Sequence, residues 1–202
     1  EASDLLQAKA GRPELDGYQQ GSRERVDAIV EAVYEAMRAR DIRYAEPPAS
    51  WGLDGQKVRT PAEVLEGRLG TCLDTTVTLA AALEEAGINS TLWLLPGHIF
   101  LGYWRDDASL DGPAQMDASE AINYVGIGQI EVVETTFLTG GTSSKPFAEA
   151  RRHHHTTTRA GDASAVLGVM DVKQARLARI YPLPSRVVGE AGDVQVAEDS
   201  VA

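Results

Sequence analysis

The stretch Gly70-Thr71-Cys72-Leu73-Asp74, followed by an apolar run to Gly87, decides how the rest of the chain can fold. Thr71 and Asp74 have the spacing of a helix start, in which the threonine hydroxyl accepts a hydrogen bond from a backbone N–H three positions on. This spacing puts Cys72 at the first helical position. Glycine at position 87 suits the left-handed conformation that ends many helices. The pattern therefore predicts a buried helix from residue 72 to about residue 86.

The position of Cys72 has a chemical consequence. Free N–H groups and the positive end of the helix dipole favour a thiolate over a thiol, so they lower the pKa of a cysteine placed there. The chain has four histidines, and three of them form the polar run 153–155. The fourth, His98, opens a strand-like segment directly after the turn Pro96-Gly97. Because a nucleophilic cysteine needs a nearby base and a third group to orient that base, Cys72 and His98 form the candidate catalytic pair.

Each of these two residues also has a non-catalytic interpretation. Cys72 can be a small buried hydrophobic residue, and His98 can be a hydrogen-bonded residue at the end of a strand. The chain order favours the catalytic interpretation, because a cysteine hydrolase core requires a cysteine on a helix followed by a histidine on a strand.

Composition and charge exclude several classes of protein. With 202 residues, 43% of them hydrophobic, the chain can bury one core, and we expect one domain. The net charge of −11 disfavours direct binding to nucleic acid or to an anionic membrane. The chain lacks an apolar run long enough to predict a transmembrane helix. The single cysteine and the absence of a signal-like N-terminal segment favour a reducing, cytoplasmic location.

Periodicity along the chain predicts an α+β fold, with helices first and an antiparallel sheet after them. Helices are predicted at residues 22–40, 60–67 and 72–86, a short one at 146–152, and strands at 88–95, 98–104, 129–138 and 166–172. The strands at 88–95 and 98–104 should form a hairpin, with the strand at 129–138 beside the second of them.

The remaining segments complete the expected domain organisation. Residues 1–20 mix glycine, glutamine and charges without a period, so we expect a mobile lead-in before a domain spanning residues 21–188. Residues 153–162 are expected to form an exposed loop. The segment 189–202 is acidic and lacks aromatic residues, which indicates a disordered tail.

These motifs together resemble the transglutaminase-like superfamily, which has a papain-like core. The resemblance lies in Gly70-Thr71-Cys72-Leu73-Asp74, in the run from Leu79 to Ile88, and in the run from Pro96 to Trp104, and it spans roughly residues 42–138. It implies N-terminal helices packed on an antiparallel sheet, with the catalytic cysteine at a helix N-terminus. It also implies that the histidine and an acidic residue follow on successive strands.

The acidic residue is where the chain departs from the superfamily pattern. An Asp-Pro-Thr stretch commonly carries this residue, and the corresponding stretch here is Val133-Glu134-Thr135-Thr136. Glu134 would then replace aspartate, with a side chain one methylene longer. Glu131 and Asp117 stay open as alternatives.

The resemblance also implies how the substrate is held. The oxyanion would be met by the backbone N–H of Cys72 and by one side-chain donor, for which Gln56 and Trp51 are candidates by analogy with related enzymes. A polar loop residue and an aromatic at the edge of the core are the other interpretations of these two positions. Arg59 is either a surface cation or a group that holds a substrate carboxylate.

We expect a cysteine-dependent amide hydrolase, a protease or deamidase, that acts on a protein or peptide through a thioester on Cys72. The alternatives are a protein-glutamine acyl transferase and a non-catalytic interaction module that retains the fold. We expect no cofactor and no metal site, because the adjacent loop histidines 153–155 lack the spacing of metal ligands. The stretch from Met170 to Pro184 also resembles sequence that follows such cores in large bacterial proteins. Some of those proteins carry helicase-type ATPase domains, so we expect a domain of a longer polypeptide.

Overall fold

An antiparallel sheet with helices packed against it forms the centre of the fold. The structure is a computed structural model that describes residues 1–46, 57–159, 163–182, 186–188 and 194–196. Within these residues the α-helices are α1 (Ala2–Ala10), α2 (Arg23–Arg38), α3 (Pro61–Gly67), α4 (Cys72–Glu85), α5 (Ser119–Gly126), α6 (Phe147–Arg159) and α7 (Val172–Leu177). The strands in the same residues are β1 (Arg43–Tyr44), β2 (Leu69–Gly70), β3 (Ser90–Leu95), β4 (His98–Trp104), β5 (Ala114–Gln115), β6 (Ile130–Val133), β7 (Gly168–Asp171), β8 (Arg186–Val188) and β9 (Val194–Val196).

Helix α4 begins as its sequence predicts. The Thr71 hydroxyl accepts a hydrogen bond from the Asp74 backbone N–H at 3.2 Å, and the Asp74 carboxylate accepts one from the Thr71 N–H at 2.9 Å. This reciprocal pair satisfies two of the N–H groups that a helix start leaves without partners. The helix ends before Gly87, whose φ of +72° is the left-handed conformation expected there.

The sheet has the strand order β5-β7-β3-β4-β6 and is antiparallel throughout. The turn Pro96-Gly97 joins β3 to β4 and pairs Leu95 with His98, so the expected hairpin is confirmed. Strand β6 lies on the other side of β4, as predicted for the third strand. The α+β class and the packing of N-terminal helices on an antiparallel sheet are therefore confirmed.

Both faces of the sheet are buried. Along β4, Leu101 and Tyr103 face the core formed with α2 and α4, whereas Phe100 and Trp104 face a second core formed with α5. Alternation of side chains along a strand produces this division. Since a shift of one residue would exchange the two faces, burial on both sides fixes the register of β4 and with it the position of His98.

One end of β4 extends past its neighbour β6. Their pairing runs from Trp104 with Ile130 to Leu101 with Val133, so the first residues of β4 have no β6 partner. At this end the first turns of α4 lie against β4, where the Thr76 hydroxyl donates to the Ile99 carbonyl at 3.4 Å. The stagger between the two strands thus leaves room for the N-terminus of α4 beside the start of β4.

The segment 1–20, which the sequence predicts to be a mobile lead-in, contains a helix that packs on the core. Residues 2–10 form α1, and Leu6 is fully buried in the core against α2. Tyr18 donates its hydroxyl proton to the Trp104 carbonyl at 3.0 Å and accepts a hydrogen bond from the Asn89 N–H at 2.9 Å. The apolar pattern of α1 is too weak to indicate a helix by itself. Burial of Leu6 and the hydrogen bonds of Tyr18 hold the segment against the core.

Three other segments have a different secondary structure from the one that the sequence predicts. The strand expected at 129–138 ends at Val133, and Thr135–Leu138 forms a 3-10 turn. Helix α6 continues through the histidine run that was expected in an exposed loop, with the His153 ring 4.9 Å from the Phe137 ring. In the expected disordered tail, Val194–Val196 pairs with β8, and the other tail residues lie outside the described part of the chain.

Candidate active site

Cys72 is the first residue of α4, as the sequence predicts. Its side chain is only 1% exposed, and its sulfur accepts hydrogen bonds from the backbone N–H groups of Leu73 and Ile99. The Ile99 N–H is available because β6 ends before reaching this part of β4. The helix N-terminus and the start of the strand therefore both supply donors to the same sulfur.

The His98 ring is hydrogen-bonded to the sulfur of Cys72. Its Nε2 atom lies 2.8 Å from Oε2 of Glu134. Because Nε2 faces the carboxylate, Nδ1 is the ring nitrogen left for the sulfur. The fold thus brings the two residues of the predicted pair into contact, with a carboxylate behind the ring.

Glu134 is held firmly in this orientation. It is 2% exposed, and its Oε1 accepts hydrogen bonds from the N–H and the hydroxyl of Thr136 at 2.8 and 2.6 Å. The backbone turns at this point from β6 into the 3-10 turn, so Glu134 approaches His98 from a turn rather than from a strand. One carboxylate oxygen caps the turn and the other meets the imidazole.

The other two acidic candidates lie elsewhere. Glu131 forms an ion pair with Arg151 at 3.1 Å, and Asp117 accepts hydrogen bonds from the backbone and hydroxyl of Ser119 at the start of α5. Of the three residues that the sequence left open, Glu134 is the one that the fold places at His98.

The surroundings of the pair favour a proton on His98 and a negative charge on Cys72. Burial raises the pKa of the Cys72 thiol, but the hydrogen bond and charge of His98, together with two backbone N–H groups, outweigh burial and hold this pKa below its ordinary value. Hydrogen bonds to Cys72 and then to Glu134 raise the pKa of His98 to about 9, against the opposing effect of burial. Both shifts move the pair towards its thiolate–imidazolium form.

Tyr44 is a site residue that sequence reasoning missed. Its hydroxyl is hydrogen-bonded to the Cys72 sulfur, and burial, followed by the nearby charge of Cys72, raises the pKa of the phenol. Parallel pairing of β1 with β2 places Tyr44 opposite Gly70, two residues before the cysteine. A two-residue strand carries no signal in the sequence for its partner in the sheet.

The three substrate-binding candidates have different outcomes. Gln56 and Trp51 lie outside the described residues. The Arg59 backbone N–H and its Nη1 donate to the two oxygens of the buried Asp74 carboxylate, at 2.8 and 2.7 Å. This contact ties the chain before α3 to the first turn of α4 and neutralises a negative charge close to Cys72. Binding of a substrate carboxylate by Arg59 stays a prediction.

In the described part of the chain, no group of three or more His, Cys, Asp or Glu side chains could hold a metal ion. The helices of that same part are too short or too polar to cross a bilayer. The chain matches no protein-family model, no curated protein and no solved structure.

His98→Ala should raise the pKa of Cys72, because it removes the hydrogen bond and positive charge that oppose burial. The rate of alkylation by iodoacetamide, measured against pH, reports this pKa, and the label is unambiguous because Cys72 is the only cysteine. The rate below the midpoint should fall about tenfold for each pH unit by which the midpoint rises. His153→Ala is the matched control and should leave the midpoint in place. An unchanged midpoint in His98→Ala would contradict the ion pair.

Glu134→Gln should lower the pKa of His98 from about 9 towards its ordinary value, because the amide keeps a hydrogen-bonding group but loses the charge. An NMR titration of the imidazole protons measures this, with the His98 signal assigned by its loss in His98→Ala. Asp117→Asn removes an exposed carboxylate and serves as the control. If His98 titrates identically in Glu134→Gln and the unaltered protein, Glu134 does not support the imidazolium.

Proposed function

We propose that the protein is a cysteine-dependent amide hydrolase of transglutaminase-like fold, which cleaves or deamidates a protein or peptide through a Cys72 thioester. The observation that supports it most strongly is the continuous hydrogen-bonded series from the Cys72 sulfur through His98 to Glu134. A nucleophile, a base and a residue that orients the base make up the minimum set for this chemistry. The depressed pKa of the thiol and the raised pKa of the imidazole agree with these roles.

The reaction proceeds in two halves. The Cys72 thiolate attacks the carbonyl carbon of the amide, and a tetrahedral oxyanion forms. The His98 imidazolium then gives its proton to the leaving nitrogen as the C–N bond breaks, leaving a thioester and a neutral imidazole. A water molecule gives a proton to His98 as its oxygen attacks the thioester carbonyl. Breakage of the C–S bond releases the acid and restores the thiolate–imidazolium pair.

The oxyanion is stabilised by two donors in this proposal. The Cys72 N–H lies in the first turn of α4, where N–H groups have no partner within the helix. Tyr44 is the second donor in this mechanism, because its hydroxyl already contacts the sulfur. Its raised pKa keeps the phenol protonated at neutral pH. Gln56 and Trp51 stay candidates from the sequence. Since Cys72 is almost fully buried, the Tyr44 side chain moves from the sulfur when the substrate carbonyl enters.

The activity is tested with a glutamine-containing peptide, incubated with and without a primary amine and followed by mass spectrometry. A hydrolase gives deamidation or backbone cleavage in both reactions, whereas an acyl transferase gives an amine adduct. Cys72→Ala should abolish either product, since it removes the nucleophile. Two results together would indicate a non-catalytic interaction module instead. The pKa of Cys72 would be ordinary and insensitive to His98→Ala, and no peptide would give a product.

Tyr44→Phe should reduce kcat for the peptide by roughly 100-fold or more, because it removes one oxyanion donor and keeps the ring. Tyr44 is 42% exposed, so loss of its hydroxyl should leave the fold intact. The pH midpoint of alkylation should rise less than in His98→Ala, since the variant loses one hydrogen bond to the sulfur but keeps the charge of His98. Tyr181→Phe, at an exposed position in the segment after α7, is the control. An unchanged kcat in Tyr44→Phe would rule out this donor.

A further inference from the structure

Three threonine hydroxyls form a buried cluster next to the catalytic residues. Thr75 and Thr76 come from α4, Thr135 comes from the 3-10 turn, and all three residues are fully buried. The Thr76 and Thr135 hydroxyl oxygens are 2.6 Å apart, and the Thr75 oxygen lies 3.3 Å from that of Thr135. Buried hydroxyl groups are costly unless they are hydrogen-bonded, so the arrangement of their protons is restricted.

Backbone carbonyls lie within hydrogen-bond distance of two of the three hydroxyls. Thr75 donates to the carbonyls of Thr71 and Cys72 in its own helix, at 3.0 and 3.1 Å. Thr76 donates to the Ile99 carbonyl. In the short contact between Thr76 and Thr135, either hydroxyl can be the donor. The result is a hydrogen-bonded series that links the Thr135 hydroxyl, the Thr76 hydroxyl and the Ile99 carbonyl.

This hydroxyl series connects the three segments that carry the site. Thr135 follows Glu134 directly, Ile99 follows His98 directly, and Thr76 lies four residues after Cys72 on the same face of α4. No ladder hydrogen bond between β4 and β6 reaches this level, because β6 ends at Val133. The two hydroxyls therefore bridge the helix, the strand and the turn at the point where the ladder has stopped.

We infer that Thr76 and Thr135 are positioning residues, whose hydrogen bonds hold His98 and Glu134 at the separation from Cys72 that the reaction requires. The inference rests on the proposed function. Apolar side chains of the same size would fill this space without fixing a donor–acceptor distance. A displacement of about 1 Å in a catalytic group is enough to reduce the rate strongly.

Other titratable groups near the pair have hydrogen-bond or ion-pair partners of their own. Tyr44 faces the sulfur from β1, and Glu134 faces His98 from the turn. The Asp74 carboxylate in the first turn of α4 is paired with Arg59. Thr76 and Thr135 are uncharged, so their replacement alters the ionisation of the pair only through geometry.

The test uses Thr76→Val and Thr135→Val, which keep the side-chain shape and remove the hydroxyl. The pH midpoint of Cys72 alkylation should rise in both variants. The alkylation rate below the midpoint should fall roughly three- to tenfold, because the thiolate fraction falls about tenfold for each pH unit by which the midpoint rises. Thr135→Ser keeps the hydroxyl and should restore the midpoint of the unaltered protein. Since Thr76→Val leaves the turn unaltered, it tests the series even if Thr135→Val does not fold.

Thr78→Val is the matched control. Thr78 lies on the same helix and is 2% exposed, and its hydroxyl has no hydrogen-bond partner among the described residues. Its replacement should leave the alkylation midpoint unchanged. Denaturant unfolding of every variant separates loss of stability from loss of positioning.

Two outcomes would overturn the inference. Valine variants that unfold more easily but keep the midpoint of the unaltered protein would show that the hydroxyls are structural only, while the proposed function stands. An ordinary midpoint in the unaltered protein, insensitive to His98→Ala, would overturn both the proposed function and this inference.

Discussion

The contact between the Cys72 sulfur and the His98 ring is the interaction on which the rest of the site depends. It forms because the N-terminus of α4 meets the first residues of β4, where β6 has already ended. At Ile99, α4 takes the place of a neighbouring strand. The Ile99 N–H donates a hydrogen bond to the Cys72 sulfur, and the Ile99 carbonyl accepts one from the Thr76 hydroxyl. A longer β6 would occupy the same strand edge and keep the helix away.

A buried charge pair of this kind is stable only when its surroundings compensate for the loss of water. The thiolate has backbone N–H groups and the imidazolium, and the imidazolium has the Glu134 carboxylate. Glu134 in turn accepts two hydrogen bonds from Thr136. Asp74 would oppose a nearby thiolate, but its ion pair with Arg59 offsets that charge. The polar groups around the pair thus act as one network, in which the loss of one member weakens the others.

Local sequence signals identified the parts of the site that depend on local structure. The helix start at Thr71 and the turn at Pro96-Gly97 depend on residues within a few positions of each other, and both formed as predicted. Glu134 could not be separated from Glu131 and Asp117, because the choice depends on where β6 stops. Tyr44 reaches the sulfur through a strand pairing with Gly70, and α1 is ordered by burial of Leu6. These contacts are distant in sequence and have no periodic pattern.

The amino-acid sequence by itself determined the α+β class, the cysteine at a helix N-terminus and the histidine at the start of a hairpin strand. Capping, turn formation and side-chain alternation are short-range effects, so they can be inferred from neighbouring residues. Only the tertiary structure decided which carboxylate lies behind the imidazole, that a tyrosine contacts the sulfur, and that threonine hydroxyls connect the three segments. Those choices depend on the relative length of two strands and on how a helix packs against their ends, and packing of distant segments leaves no signal in the local sequence.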